Sequence, residues 1–305
     1  MRLNALWALK HLVANLDRNL RKQCLEELEP GWLVQLISDD TSDEDTPQAR
    51  TRSERRATDA DDDEDMDAET VYEDDTAGAW AWPASRHLPT TLSPRLQQAS
   101  AKLTILRDAE FNPARKARTD SLAIQEQGLG FIRNLIMLPV ASSQTDMVDY
   151  LFLELGQDRL FGILADKLKV RVVGAYGRRS SRGRDTLVLY PQPRLVENLT
   201  YILVHMAAGV PRHRQLVVAQ TELLKLLGGH FSSKDAGVRK ALCQLFMNLS
   251  CLDSEGDRQP WSQRALELER LGFLAKLEGL ERGDADLDVR QRAKAAVAQM
   301  KTPTA

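Results

Sequence analysis

Two stretches, VENLTYILVHMA at residues 196–207 and VRKALCQLFMNL at residues 238–249, decide the fold. Their last residues lie 42 positions apart, and a spacing of roughly 40 to 47 residues between similar helices is typical of a helical repeat. In both stretches apolar residues recur every three or four positions, which predicts a helix with one buried face. The pair therefore predicts stacked helical repeats.

Three further segments share this pattern. They are MRLNALWALKHL at 1–12, IQEQGLGFIRNL at 124–135 and VRQRAKAAVAQM at 289–300. Shorter helices are predicted between them, at 28–37 and 268–280, each preceded by a polar amphipathic helix. Asp17 can cap a helix that runs to residue 28, Pro94 can open one at 94–111, and Pro211 can open one that ends on the glycine pair at 228–229. One short and two longer helices per unit predict an all-α protein. We expect an armadillo-type α-solenoid, a right-handed superhelix of about five three-helix units.

Two insertions interrupt the repeats. Residues 38–92 contain almost no aliphatic side chains, so we expect a long disordered acidic insertion there. Residues 171–193 predict a basic loop, with a small hairpin at VRVV and TLVLY. The predicted domains are partial repeats at 1–37, repeats at 93–170 and C-terminal repeats at 194–305.

Charge is distributed unevenly along the chain. Residues 39–75 hold seventeen acidic residues and four arginines, a net charge of −13, so the remaining residues carry +10. A basic body favours acidic partners, and the acidic insertion itself is one candidate. The alternative is that the insertion is a solvated segment that keeps the solenoid soluble.

Composition narrows the function classes. Of 305 residues, 43% are hydrophobic and 28% charged, enough for a sizeable core. No run approaches the roughly 20 apolar residues of a membrane-spanning helix, and no signal-peptide cleavage site follows the apolar start. Three cysteines without CxxC spacing predict neither a disulfide framework nor a zinc site. We expect a cytoplasmic and nuclear protein that does not bind membranes.

Catalytic motifs are missing from the sequence. None of the five histidines has metal-ligand spacing to another ligand, and no GxSxG, GK[ST] or HExxH motif occurs. We therefore expect a protein that is not an enzyme and has no cofactor and no metal. The arginines of RRSSRGR could contact RNA, but they lack interleaved aromatic residues, so nucleic acid is not the expected partner.

The strings NALWALKHL, GLGFIRNL and LCQLFMNLS resemble the third helix of armadillo repeats. More narrowly, NALWALKHLV followed by QCLEELEPGWLVQLI, and then QEQGLGFIRNL, resembles the armadillo scaffold subunits of the GID/CTLH ubiquitin ligase, the glucose-induced degradation complex. The resemblance implies a scaffold that docks a substrate receptor onto LisH/CTLH and RING subunits and supports the degradation of metabolic enzymes. Relatives of this kind begin with further repeats, so we expect an N-terminally truncated chain that associates through its open first helix.

The armadillo resemblance implies peptide binding along a ladder formed by the third helices. An asparagine amide suits a rung because it can bond both the N–H and the C=O of a peptide. Aligning the segments by their last residues places His11, Asn134, Met206 and Asn248 at the rung, and Trp7, Gly130, Ile202 and Gln244 one turn earlier. A hydrogen bond to a neighbouring helix is the equally weighted alternative for both asparagines.

We expect the binding surface between residues 119 and 302. The candidate partner-binding residues are Trp7, His11, Arg133, Asn134, Tyr201, His205, Arg239 and Asn248. With an aromatic residue at only one aligned position, an adaptor for nuclear transport or signalling is the runner-up to the ligase scaffold.

Overall fold

The computed structural model describes residues 2–38, 113–137, 146–174, 186–252 and 254–301. The chain divides into two compact units. One comprises Met1–Asp40, Asp120–Arg171 and Leu189–Ala305, and the other Thr41–Thr119 and Val172–Val188. The predicted disorder of the acidic segment, the predicted helix at 94–111 and the loop arginines 178–184 lie outside the described residues.

Thirteen α-helices lie in the described ranges, and twelve of them form four three-helix repeats. Helix α1 (Arg2–Ala14) precedes the repeats and takes the place of a third helix. The repeats are α2 (Arg18–Glu27), α3 (Pro30–Ile37) and α4 (Pro113–Ile136); α5 (Asp146–Leu155), α6 (Gln157–Lys167) and α7 (Pro193–Ala208); α8 (Pro211–Val218), α9 (Thr221–Gly228) and α10 (Ala236–Leu249); and α11 (Arg258–Arg270), α12 (Phe273–Gly283) and α13 (Leu287–Lys301).

The predicted all-α, armadillo-type α-solenoid is confirmed. Helix α10 packs between α7 and α13, the third helices of the neighbouring repeats. One continuous cluster of buried apolar residues extends from Val13 to Met300. Asp17 caps α2 as its position before the helix predicts, since its carboxylate accepts a hydrogen bond from the Leu20 N–H at 3.0 Å.

The sequence pattern was less accurate between Pro211 and Gly229, where it predicts one continuous helix. The structure has two helices, α8 and α9, separated at Ala219 and Gln220. Val217 and Val218 are buried on α8, and Leu223 and Leu224 on α9. Apolar spacing alone could not separate a first helix from a second, because both bury the same kind of stripe.

Both insertions enter the fold at equivalent junctions. Residues 38–112 lie between the second and third helices of the first repeat, and residues 168–192 between those of the second. The predicted hairpin is confirmed, since β1 (Arg171–Gly174) and β2 (Thr186–Leu189) pair in a two-stranded sheet. The solenoid therefore accepts added chain just before a third helix.

A positive φ angle marks the turn between the first and second helices in three repeats. Gly156 and Gly272 adopt φ values of 80° and 82° at two of these turns, and Glu29 adopts 53° at the third. Glycine reaches this region without strain, whereas a side chain with a Cβ atom does not. Glu29 is thus a strained residue at a position where two other repeats use glycine.

Replacing Glu29 by glycine should relieve this strain. We expect Glu29→Gly to raise the free energy of unfolding by about 1 kcal/mol, measured by urea denaturation. Glu29→Ala is the matched control, because it removes the carboxylate and keeps the Cβ atom. A gain in both variants would assign the effect to charge, and no gain in Glu29→Gly would contradict the proposed strain.

Buried arginines on the first helices hold the ends of third helices. Each guanidinium donates, through Nε and Nη2, to two carbonyl oxygens two residues apart at the end of the preceding third helix. The donors and acceptors are Arg21 with Leu16 and Ala14 (2.9 and 3.1 Å), Arg214 with Ala207 and Gly209 (both 2.8 Å), and Arg264 with Leu249 and Cys251 (3.2 and 3.1 Å). The last carbonyls of a helix lack intrahelical donors and form the negative end of its dipole. A buried cation therefore satisfies both the hydrogen bonds and the charge.

The second repeat uses a different arrangement. Arg21 and Arg214 are the fourth residues of their helices, and the fourth residue of α5 is Asp149. Asp149 binds Arg212 and the Nε2 atom of the buried His213, so it links α5 to α8. The end of α4 is held instead by Arg21, whose Nη1 donates to the Leu135 and Met137 carbonyls at 3.2 and 2.6 Å.

Arg214 and Arg212 offer a matched test of this role. Arg214 is 2% exposed, whereas the Arg212 side chain on the same helix is 64% exposed. Arg214→Met leaves buried carbonyls without these donors and should lower the free energy of unfolding by about 3 kcal/mol. Arg212→Met should lower it by less than about 1 kcal/mol. Chemical denaturation followed by circular dichroism measures both, and equal effects would contradict the capping role.

Candidate functional site

The candidate site is the third-helix face, which we define by one residue pair on each of four third helices. The pairs are Trp7 and His11 on α1, Gly130 and Asn134 on α4, Tyr201 and His205 on α7, and Gln244 and Asn248 on α10. In each pair the second residue lies one helical turn after the first, so both belong to one side of their helix.

Two equivalent hydrogen bonds fix the register of these pairs. Asn134 Nδ2 donates to the Lys10 carbonyl on α1, and Asn248 Nδ2 donates to the Val204 carbonyl on α7, each at 2.9 Å. Lys10 directly precedes His11, so the residue that follows Val204, which is His205, takes the same position on α7.

The sequence alignment was therefore wrong by one residue on α7. It places Ile202 and Met206 on the ladder, but both are completely buried in the core. Tyr201 and His205 are half-buried and occupy the aligned positions instead. The run from Ile202 to Val204 is continuously apolar, so periodicity could not decide which residue faces outward.

Both asparagines form hydrogen bonds to a neighbouring helix, which is one of the two alternatives that the sequence left open. Each donates to the main chain of the preceding third helix, and the Asn248 Oδ1 atom also accepts a hydrogen bond from Gln244 Nε2 at 3.0 Å. Asn134 is only 8% exposed. These amides connect neighbouring repeats, and their binding to a partner stays a prediction.

Aromatic rings pair with histidines on α1 and α7. Trp7 is 57% exposed and meets His11 edge to face, with 4.5 Å between ring centroids. The Tyr201 and His205 ring centroids lie 6.4 Å apart. The structure thus places aromatic residues on two rungs, where the sequence alignment finds one.

Arg133 joins α4 to α7 beside Tyr201. Its guanidinium carbon lies 5.3 Å from the Tyr201 ring centroid, and its Nη1 donates to Asn198 Oδ1 at 3.1 Å. Cations over an aromatic face are attracted by the ring quadrupole. A cation of this protein therefore already lies over the Tyr201 ring, whereas the Trp7 side chain is 57% exposed to solvent.

Lys10 occupies the space above Gly130. A Cβ atom at Gly130 would lie 2.8 Å from Lys10 Cδ, so the lysine stem passes directly over the glycine backbone. Its Nζ donates to Gln127 Oε1 at 2.7 Å. Lys10, Gln127 and Asn198 were missed by sequence reasoning, because only the pairing of α1, α4 and α7 brings them onto this face.

His205 is neutral at physiological pH. Burial lowers its pKa to about 4, and the positive charges of Arg133 and Arg21 contribute to the shift. A neutral imidazole has one N–H donor and one nitrogen acceptor, as an asparagine amide has one donor group and one acceptor group. His205 therefore offers hydrogen-bonding groups of both kinds at the rung.

The pKa of His205 makes stability depend on pH. The imidazole titrates near 6.5 when unfolded and at about 4 when folded, so the unfolded state binds more protons between these values. The contribution of neutral His205 to stability is fully present above the unfolded pKa and is lost as the pH falls toward the folded pKa. When the pH is lowered from about 7.5 to about 5, the titration of this histidine should lower the free energy of unfolding by about 2 kcal/mol.

His205→Asn removes this titration and places a rung amide at position 205. Its unfolding free energy, measured by urea denaturation at both pH values, should fall by about 2 kcal/mol less than that of the parent chain. His11→Asn is the control, because His11 is exposed on the same face. An identical pH dependence in the parent and His205→Asn would contradict the low pKa.

The C-terminal part of this region has its charges paired internally. Arg239 binds both carboxylate oxygens of Asp284, at 2.6 and 3.0 Å, and this contact raises the Arg239 pKa. Lys240 Nζ lies 3.0 Å from Asp286 and 3.5 Å from Asp288. Partner binding by Arg239 stays a prediction, and a partner would compete with Asp284 for its guanidinium.

The described ranges contain neither a cluster of metal ligands nor a helix suited to span a membrane. No group of three His, Cys, Asp or Glu side chains there lies close enough to hold a metal ion. No helix in these ranges combines the length and the apolarity needed to cross a membrane.

Comparison with known proteins found similar solved structures only. No family model and no curated protein matches the chain. An engineered protein is 14% identical over 98% of this chain and 92% of its own, with a TM-score of 0.44. A designed armadillo repeat protein is 15% identical over 70% and 96%, with a TM-score of 0.30. Another, in complex with the peptide (KR)4, is 14% identical over 68% and 95%, with a TM-score of 0.32.

Proposed function

We propose that this protein is a non-catalytic scaffold that binds an extended peptide segment of a partner protein along its third-helix face. The observation that carries the proposal is the equivalent placement of Trp7 with His11 and of Tyr201 with His205. Each pair joins an aromatic ring, which can pack against a side chain, to an imidazole, which can bond a peptide backbone.

The spacing of these groups suits an extended ligand. The pairs lie on α1 and α7, with α4 between them, and asparagine amides on α4 and α10 occupy the other rungs. A ligand that follows the face crosses successive third helices and meets one rung per repeat. Extended peptides expose their main-chain donors and acceptors in this regular way.

For the cellular role we propose the scaffold of a GID/CTLH-type RING ubiquitin ligase. In this role the chain docks a substrate receptor, contacts LisH/CTLH and RING subunits, and supports proteasomal degradation of metabolic enzymes in the cytoplasm and nucleus. The sequence resemblance of residues 4–13, 23–37 and 125–135 to such scaffolds supports this assignment.

Affinity purification with mass spectrometry tests both proposals, peptide binding along the third-helix face and the scaffold role in a ubiquitin ligase. The tagged chain is compared with Trp7→Ala/Tyr201→Ala and with the control Trp32→Ala/Tyr190→Ala, which removes exposed rings of the same types outside the face. We expect a receptor and RING and LisH/CTLH subunits with the parent and the control, and at least tenfold less receptor with the first variant.

The possible results separate the two proposals. Transport factors that are lost with Trp7→Ala/Tyr201→Ala would contradict the ligase role and support the scaffold. Equal partner recovery from all three chains would contradict binding along the third-helix face.

A further inference from the structure

Two cations beside the third-helix face form no ion pair with a carboxylate of the described residues. Lys10 and Arg133 each donate one hydrogen bond to a neutral amide oxygen, that of Gln127 and Asn198 respectively. A guanidinium has five N–H donors and an ammonium three, so most donors of this pair have no hydrogen-bond acceptor among the described residues. Both side chains are half-buried, which weakens screening by solvent.

Arg133 acts electrostatically on two neighbouring groups of this face. Burial lowers the pKa of Lys10, the Glu126 carboxylate opposes this shift, and Arg133 adds to it. Arg133 also contributes to the low pKa of His205 on the adjacent helix, where burial is again the larger cause. The charge of Arg133 is therefore felt by both groups, and an anion bound beside it would offset that charge.

Two carboxylates, Glu126 and Glu197, act on these cations from a distance. Glu126 raises the pKa of Lys10 but lies 3.9 Å from the exposed Arg194. The Glu197 carboxylate lies against the start of α10, where a Cβ atom at Gly237 would be 3.2 Å from it. Burial and the charge of Asp235 raise the pKa of Glu197, and the charges of Arg133 and Arg194 oppose this shift. Neither acid forms an ion pair with Lys10 or Arg133.

Three cations of the C-terminal repeats, unlike Lys10 and Arg133, form ion pairs with aspartates of the chain. Between α10 and α13, Arg239, Lys240 and Arg292 each lie within 3.5 Å of an aspartate carboxylate. Between α1 and α7, the two cations on the face lack such a contact. An external anion can therefore supply there what aspartates of the chain supply at the other end.

We propose that α1, α4 and α7 bind an extended peptide that carries carboxylate side chains, with Arg133 and Lys10 contacting the carboxylates and Trp7 and Tyr201 packing against neighbouring apolar residues. This inference rests on the proposed scaffold function and adds the chemistry of the partner. Arginine binds a carboxylate through two parallel N–H donors, and lysine adds a point charge.

The occupant is a segment of another protein. The chain also carries its own acidic stretch, DADDDEDMD at residues 59–67, and a tethered segment competes at a millimolar effective concentration. The experiment therefore uses two full-length chains. One is the parent, and in the other the five consecutive acids 61–65 are replaced by asparagine or glutamine.

Fluorescence anisotropy measures the binding of three labelled peptides. They share one pattern of leucine and glycine and differ in carrying glutamate, glutamine or lysine at every other position. We expect both chains to bind the glutamate peptide at least tenfold more tightly than the other two peptides, with weaker binding at higher salt. Arg133→Gln/Lys10→Gln should weaken this binding at least tenfold.

Controls separate specific recognition from general charge and from misfolding. Lys225→Gln/Arg270→Gln removes two charges from α9 and α11, where each exposed cation pairs with a glutamate of its own helix, and should leave affinity unchanged. Arg133→Glu should shift the preference toward the lysine peptide, a gain that a misfolded variant cannot show. Unfolding midpoints are compared for all variants.

Each other outcome has a defined meaning. Equal or tighter binding of the glutamine or lysine peptide overturns the acidic preference and leaves the scaffold function standing. Binding of the glutamate peptide by the neutralised chain alone identifies residues 59–67 as the occupant and overturns the proposal of an external partner. No binding of any peptide to either chain contradicts both the inference and the scaffold function.

Discussion

The arginine contacts at the ends of α1, α7 and α10 are the constraint on which the rest of the structure depends. Arg21, Arg214 and Arg264 bind pairs of carbonyl oxygens that no intrahelical donor can reach. Each contact sets the position of a first helix relative to the third helix before it. Asp257 lies beside one of these cations, with its carboxylate 2.8 Å from Arg264. Because the contact recurs, it sets how one repeat follows the next.

This constraint explains where the chain tolerates insertions. The arginines hold the C-terminal ends of the third helices, whereas residues 38–112 and 168–192 enter at the N-terminal ends. Extra chain at the free end costs only loop-closure entropy, which rises slowly with length. An insertion after a third helix would instead displace carbonyls from a buried guanidinium. The turn after α10 is the exception: it spans residues 250–257, Arg264 still reaches the Leu249 and Cys251 carbonyls, and Asp257 is added there as a further partner of Arg264.

The sequence predicted the repeats but not the contacts that order them. The third helices were recognisable because apolar residues recur every three or four positions and form a buried stripe. The cap at Asp17 was recognisable because its carboxylate binds the N–H of Leu20, only three residues away. The α7 register was wrong because Ile202, Leu203 and Val204 are all apolar and all buried. The arginine contacts had a weak signal, an arginine six or seven residues after the end of an apolar helix in two repeats. Nothing local shows that such an arginine is buried.

The same distinction applies to the candidate site. Trp7, Asn134 and Asn248 could be chosen from aligned helices, but their partners depend on how neighbouring repeats pack. Packing directs both asparagine amides to main-chain carbonyls and Arg239 to Asp284, so these groups already satisfy one another. Within the described residues, it leaves Arg133 and Lys10 hydrogen-bonded to amide oxygens rather than paired with carboxylates. We therefore propose that the partner binds at α1, α4 and α7, which adds α1 to the predicted surface between residues 119 and 302, because an ion pair is gained only where the fold has not already made one.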